Sequence, residues 1–199
     1  MKYTTLSLTR YLKELSSYRP IPGGGSASAY VASLGMGLAE MVAQIGMKRL
    51  NPSLKPEVRK TIQLLRKAKK DTLQVVDLDP KVYQEVLKTY AKAKAITDES
   101  KKNKLIDEAL ENSFRLQADL ALLVSMAKQA AESLQGKIKG SIQNDLKLSL
   151  AFLTAAFQGA CDTAHINVVY LKDAGKKSRA EQALSELKHQ FAGMNVSGN

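Results

Sequence analysis

The sequence predicts an all-α protein: a single domain of six to seven helices in a bundle-like arrangement, with a Gly-rich loop before a helix of small residues. Apolar residues recur with helical periodicity, and no stretch alternates apolar and polar residues for more than a few positions. No linker, repeat or low-complexity block divides the 199 residues, which suffice for one sizeable core. We therefore assign residues 1–199 to one domain, with residues 193–199 as a disordered polar tail.

The first predicted helix covers residues 7–17, with Leu8, Leu12 and Leu15 on one apolar stripe. It must end before residues 18–22, where two prolines and the residues preceding them oppose helix. A flexible turn of three glycines follows, and the hydroxyl of the next serine is predicted to cap a second helix.

That second helix is predicted from Ser26 to about Arg49, with small residues at four-residue spacing. Glycine inside a helix costs about 0.5–1 kcal/mol relative to alanine, so this spacing indicates close helix–helix contact. A basic amphipathic helix follows over residues 55–76. Asp79 and Pro80 are predicted as the N-cap and first residue of another helix, which ends near Ala95.

Thr97 or Asp98 is predicted to cap the longest helix, which runs to Leu134 and is followed by a turn between two glycines. The next helix is predicted to begin at Ser141 or Asn144 and to end near Lys172. A last helix is predicted over residues 178–192.

Charge and composition exclude several classes of protein. Lys and Arg total 30 against 19 Asp and Glu, and the net charge of +11 raises a nucleic-acid hypothesis. The cations are scattered among acids and no recognition motif is present, so this hypothesis is disfavoured. One cysteine and two histidines cannot form a structural zinc site. No signal sequence or membrane span is recognised, so we expect a cytoplasmic protein.

Three places could carry chemistry. The turn Pro22-Gly23-Gly24-Gly25-Ser26 precedes a helix, where backbone N–H groups can bind an anion, but it can also be only a turn. Asp77 and Asp79 are interpreted first as capping residues and second as part of a pocket.

The third place is one face of the helix that begins near residue 144. Polar and small residues recur there at spacings of three and four, which could line a ligand groove. The ends of this face lie about 27 Å apart along a straight helix. One small ligand therefore reaches both ends only if the helix breaks, the ligand is long or a second subunit contributes. The polar members of the face are Asp145, Ser149, Thr163 and Asn167.

These motifs together resemble the formiminotetrahydrofolate cyclodeaminase and methenyltetrahydrofolate cyclohydrolase family, over most of the chain. The matching segments are residues 20–29, the acidic pair before Tyr83, and Asn144-Asp145-Leu146 with its continuation to Asn167. The resemblance implies an all-helical homodimer that binds a tetrahydrofolate derivative, which could be polyglutamylated, as its substrate. It implies no metal or other cofactor. The hydropathy pattern predicts no membrane partner, and the scattered charges disfavour a nucleic-acid partner.

The reaction that the resemblance implies is one of two. Either 5-formiminotetrahydrofolate is converted to 5,10-methenyltetrahydrofolate and ammonia by a cyclodeaminase (a lyase), or methenyltetrahydrofolate is hydrolysed to 10-formyltetrahydrofolate. Asp145 is the predicted catalytic residue, as general acid/base or cation stabiliser. The predicted substrate-binding residues are Pro22, Gly23, Gly24, Gly25, Ser26, Asp79, Ser149, Thr163 and Asn167.

The chain departs from the family pattern at Gly46, Asn144 and Thr163. These departures keep open the alternative of a catalytically inert, folate-binding helical dimer. Binding of tetrahydrofolate without turnover would select that alternative, because a ligand specific for the native state raises apparent stability.

Overall fold

The computed structural model describes the backbone of residues 2–196 and the side chains of residues 2–193. Over this range the chain forms six α-helices and three short 3₁₀ turns without a β-strand, which confirms the predicted all-α class. The helices are α1 (Leu8–Leu15), α2 (Gly24–Gly46), α3 (Lys55–Ala93), α4 (Glu99–Glu132), α5 (Gln143–Tyr170) and α6 (Ala174–Val196).

Helices α2 and α5 pack against each other in opposite directions at the centre of the bundle. Gly24 lies opposite Thr163, Gly159 opposite Ser28, and Gly35 opposite Ser149. A Cβ on Gly35 would lie 3.0 Å from the Leu153 side chain, so the small residues permit the close approach that their spacing predicts. Helices α3 and α4 flank this pair: α3 packs on α2 and α4, and α4 packs on α5.

The predicted break at Asp79-Pro80 is wrong, because α3 continues through Pro80 to Ala93. Proline has no N–H, so the carbonyl four residues earlier, that of Val76, loses its normal helical donor. The buried Ser26 hydroxyl on α2 donates to this carbonyl at 3.0 Å. A side chain from another helix thus replaces the missing hydrogen bond and allows α3 to continue.

This replacement predicts a coupling between Ser26 and Pro80. Ser26→Ala should lower the free energy of unfolding by about 1–3 kcal/mol, because it leaves the buried Val76 carbonyl unpaired. In the Pro80→Ala background the loss should be smaller, since an alanine at this position supplies the helical N–H. Urea unfolding of the two single variants and the double variant measures the coupling. Equal losses in both backgrounds would contradict this account of α3.

The start of α4 agrees with the prediction, whereas the start of α6 does not. Asp98 caps α4 by accepting a hydrogen bond from the Lys101 N–H, as predicted. Gly136 and Gly140, which bracket the turn after α4, have φ values of 73° and 99°. Helix α6 begins at Ala174, four residues before its predicted start, because Asp173 accepts a hydrogen bond from the Lys176 N–H.

Two of the three leucines in the apolar stripe of α1 are exposed. Leu8 and Leu12 are 59% and 52% exposed, and the buried residues of this helix are Tyr11 and Glu14. Arg10 and Arg19 form ion pairs with Glu14, which accounts for the burial of a carboxylate here. The aromatic ring of Tyr11 packs between Tyr3 and Tyr30. These aromatic contacts, rather than the leucine stripe, therefore determine which face of α1 is buried.

Two further sequence expectations concern the chain end and membranes. Helix α6 extends to Val196, and residues 197–199 of the predicted tail lie outside the described residues. None of the described helices is both long enough and apolar enough to cross a bilayer.

Candidate functional site

The glycine turn meets a carboxylate from α3. The Ser26 N–H, at the third position of α2, donates to Asp79 Oδ2 at 3.0 Å. Ser26 was predicted to cap α2, but the N-cap is Gly23, which makes no side-chain cap. Asp79 does act as a cap, but for α2 rather than for its own helix. Its negative charge therefore lies at the positive end of α2.

Gln117 on α4 completes this contact. Its Nε2 donates to Asp79 Oδ1 at 2.7 Å, and the residue is fully buried. Sequence reasoning missed Gln117, because a single polar residue within an apolar helical pattern gives no local signal of its partner. Three helices therefore converge on one carboxylate.

Two glycines of the turn differ in how much space a side chain would find there. A Cβ on Gly25 would overlap both Asp79 Oδ1 and Gln117 Nε2, so this position accepts only glycine without rearrangement. A Cβ on Gly24 would lie at 3.4 Å from Thr163 Oγ1, which is an ordinary contact. Gly24 is exposed, so the turn is open to solvent beside a buried polar contact.

The electrostatic setting of Asp79 suits proton transfer. Burial raises the pKa of the Asp79 carboxyl above its usual value, and the hydrogen bonds from Ser26 and Gln117 oppose this rise only in part. No ion pair to Asp79 occurs among the described side chains. The partly buried carboxylate is thus held by neutral donors alone, which is a common setting for a general acid/base.

Several predicted site residues surround this carboxylate. Pro22 is buried at the start of the turn, and Thr163 lies beside Gly24 with its hydroxyl donating to the Gly159 carbonyl. Asn167 donates from Nδ2 to the Thr163 carbonyl at 2.9 Å, one turn further along α5. The structure therefore brings together the predicted residues from the turn, Asp79 and the second half of the α5 face.

Two predicted site residues lie elsewhere. Helix α5 is continuous, and Asp145 is about 27 Å from Thr163 along its axis. Ser149 is buried against α2, where its hydroxyl donates to the Gly35 carbonyl at 2.7 Å. Ser149 therefore packs α5 against α2, and Asp145 lies far from the glycine turn of its own chain.

Asp77 lies on a different side of α3 from Asp79. It accepts hydrogen bonds from the backbone N–H and the hydroxyl of Thr4, which fixes the N-terminal segment. An open depression of about 440 Å³ adjoins Asp77. Its charged lining is mainly cationic, and two of those cations form ion pairs with Glu40. The lining cations are Lys2, Arg66, Lys69 and Lys70.

The cysteine of this chain is buried and carries a free thiol. Burial raises the pKa of the Cys161 thiol to about 11, so the thiolate is scarce at neutral pH. Among the described residues, no cluster of three or more His, Cys, Asp or Glu side chains could hold a metal ion.

Comparison with known proteins decides the family. Residues 7–186 match the family model described as formiminotransferase-cyclodeaminase, which is most of the chain. The chain belongs to the formiminotransferase-cyclodeaminase family. This confirms the resemblance drawn from the turn, the acidic pair and the α5 motif.

Curated relatives of this family are distant and longer. Formimidoyltransferase-cyclodeaminase of Rattus norvegicus is 27% identical over 183 residues, which cover 91% of this chain and 34% of the relative. The Gallus gallus protein of the same name is 24% identical over 185 residues, covering 92% and 34%. The chain thus spans about a third of the length of these relatives.

A solved structure confirms the fold of the family. Formiminotetrahydrofolate cyclodeaminase of Thermotoga maritima matches with a TM-score of 0.85 at 21% identity, covering 96% of this chain and 92% of that one.

One departure from the family pattern has a packing reason. A Cβ on Gly46 would lie 2.8 Å from the side chain of Ile138, which is itself buried in the core. Glycine at this position therefore makes room for the segment between α4 and α5. It lies at the opposite end of α2 from Asp79 and makes no contact with the glycine turn.

Proposed function

We propose that this chain acts on a folate one-carbon unit as a cyclodeaminase-type enzyme, with Asp79 as its general acid/base. The two candidate reactions are the conversion of 5-formiminotetrahydrofolate to 5,10-methenyltetrahydrofolate and ammonia, and the hydrolysis of methenyltetrahydrofolate to 10-formyltetrahydrofolate. The observation that carries the proposal is the Asp79 carboxylate, partly buried beside the open glycine turn without a cationic partner.

In the cyclodeaminase reaction, N10 of the folate attacks the formimino carbon and forms the N10–C bond. A proton must then move from N10 to the formimino nitrogen, so that the C–N bond breaks and ammonia leaves. Asp79 can accept the first proton and return it to the leaving nitrogen. Its raised pKa brings it closer to the pH at which both transfers are efficient.

In the hydrolase reaction, water attacks the bridge carbon and the same carboxylate accepts a proton from it. The carboxyl returns this proton to N5 as the C–N5 bond breaks, and the remaining hydroxyl proton is released to leave the formyl group on N10. Both reactions pass through a cationic one-carbon centre, which a carboxylate stabilises. Thr163 and Asn167 lie at the same end of α5 as the glycine turn and are proposed to orient the substrate.

The test is an absorbance assay of the methenyltetrahydrofolate chromophore, followed in both directions. We expect the protein to form the chromophore from 5-formiminotetrahydrofolate or to consume it by hydrolysis, and the substrate to raise Tm. A higher Tm without turnover would select the inert folate-binding alternative. Neither turnover nor stabilisation would contradict the proposal.

The role predicted for Asp145 stays a prediction. Because α5 is continuous, Asp145 can act together with the glycine turn only through a long ligand or from a second copy of the chain. Exposed apolar residues on α2, including Leu34, Met41 and Ile45, support the proposal of a homodimer. Asp145 lies at the end of α5 that packs on the Ile45 end of α2. Light scattering measures the mass, and mixing Asp79→Asn with Asp145→Asn protein should restore turnover only if the two residues act from different subunits.

The predicted polyglutamate tail also stays a prediction. The cationic depression beside Asp77 supports it, because folate tails carry several carboxylates and clustered cations raise their local concentration.

A further inference from the structure

Gln117 has one hydrogen-bonding atom that the proposed reaction leaves unused. Its Nε2 donates to Asp79, whereas its Oε1 is buried and has no donor. This oxygen is the one buried side-chain N or O atom without a partner that is found among the described residues. Buried acceptors in native proteins are satisfied with few exceptions, and an unpaired one calls for a partner, either an ordered water or a ligand.

The orientation of the amide follows from the charge of Asp79. An ionised carboxylate only accepts hydrogen bonds, so the amide must present Nε2 to Asp79 and direct Oε1 elsewhere. The carboxylate and the amide oxygen are therefore two acceptors on side chains that contact each other, and the amide oxygen is buried. A complementary ligand group supplies two N–H donors, on one atom or on neighbouring atoms, and positive charge favours it further.

The two candidate substrates differ in this respect. The protonated formimino group ends in a nitrogen with two N–H donors, whereas the methenyl bridge between N5 and N10 carries only C–H. A formyl group at N5 would present an oxygen acceptor instead. Among these one-carbon groups, only the formimino group can thus donate to both oxygens at once.

We propose that Gln117 is a specificity-determining residue, whose Oε1 accepts one formimino N–H while Asp79 accepts the other. This inference rests on the proposed function and selects cyclodeamination as the main reaction. The same nitrogen keeps its N–H groups after N10 attack, receives the N10 proton through Asp79 and departs as ammonia. Gln117 Oε1 therefore stays paired through the tetrahedral intermediate, and no step requires a further reactant.

The experiment compares Gln117→Met with the wild type on both substrates. Met keeps the length of the side chain and fills a core position without an amide. Loss of Nε2 removes a donor from Asp79 and affects both reactions, whereas loss of Oε1 affects only the formimino substrate. We expect kcat/KM for cyclodeamination, divided by kcat/KM for hydrolysis, to fall by about 10- to 100-fold. This is the range expected for the loss of one buried hydrogen bond.

Gln129→Met, at an exposed position of the same helix, is the matched control and should leave the ratio unchanged. A binding measurement supplies a second readout: the wild type should bind 5-formiminotetrahydrofolate more tightly than the 5-formyl compound, and Gln117→Met should lose this preference. An active wild type with an unchanged ratio in Gln117→Met overturns this inference alone. A wild type that neither turns over nor binds these folates overturns the proposed function and the inference together.

Discussion

Asp79→Asn should reduce turnover by about 10²- to 10⁴-fold, the range lost with a general acid/base. The fold should survive, because Asn can accept from the Ser26 N–H with its oxygen. The amide nitrogen introduced at position 79 can donate to Gln117 Oε1 if the Gln117 side-chain amide rotates to exchange its oxygen and nitrogen. Steady-state kinetics in the methenyltetrahydrofolate assay measure the effect. Asp71→Asn, on an outer side of α3 where it pairs with Lys67, is the matched control and should retain activity.

The same substitution should stabilise the protein at neutral pH. The folded-state pKa of Asp79 lies above its unfolded-state value of about 3.9, so folding favours the protonated form. The stability that this group contributes is present below that value and is lost as the pH rises through the folded-state pKa. Asn cannot ionise, so the Tm of the variant should exceed that of the wild type increasingly from acid to neutral pH.

A gain in stability together with a loss of turnover would identify Asp79 as a group kept for chemistry at a cost to the fold. Two results would contradict its assigned role: retained turnover in Asp79→Asn, or a Tm difference that does not change with pH.

Gly25→Ala should remove most activity and also destabilise the fold. The added Cβ would overlap the oxygen and the nitrogen that form the Asp79–Gln117 hydrogen bond, so the turn or both side chains must move. Overpacking of this kind costs about 1–3 kcal/mol. Displacing a catalytic group by about 1 Å can itself cost about 10²-fold in rate. Urea unfolding and the chromophore assay measure the two effects.

Gly37→Ala on the same helix is the matched control. Within one chain nothing lies within 4 Å of the added Cβ, so this variant should gain about 0.5–1 kcal/mol from helix propensity. If Gly25→Ala behaved like Gly37→Ala, the close contact at Gly25 would have no functional meaning.

The helical architecture could be predicted because its signals are local. Val58, Ile62 and Leu65 recur at helical spacing on α3 and are buried. Asp98 caps α4 by accepting a hydrogen bond from a residue three positions later. The close packing of α2 also followed from its own small residues. Each of these features can be recognised from residues that lie close together within one helix.

The candidate site could be predicted only in part, because its contacts join distant residues. Asp79 was recognised as a capping residue, but the helix that it caps lies 53 positions away at Ser26. Gln117, 38 positions from Asp79, had no local signal at all. Asp145 and Ser149 share a helical face with Thr163, yet the length of a continuous helix separates them from the turn.

The sequence by itself determined the helical class, most helix positions and the family, since these depend on periodicity, caps and contiguous motifs. The tertiary structure alone decided that α3 continues through Pro80, because the replacing hydroxyl of Ser26 comes from a helix 50 positions earlier. It also decided that Asp79, rather than Asp145, lies at the glycine turn. Contacts between helices depend on how whole faces pack, and a linear pattern records which residues share a face without recording what that face meets.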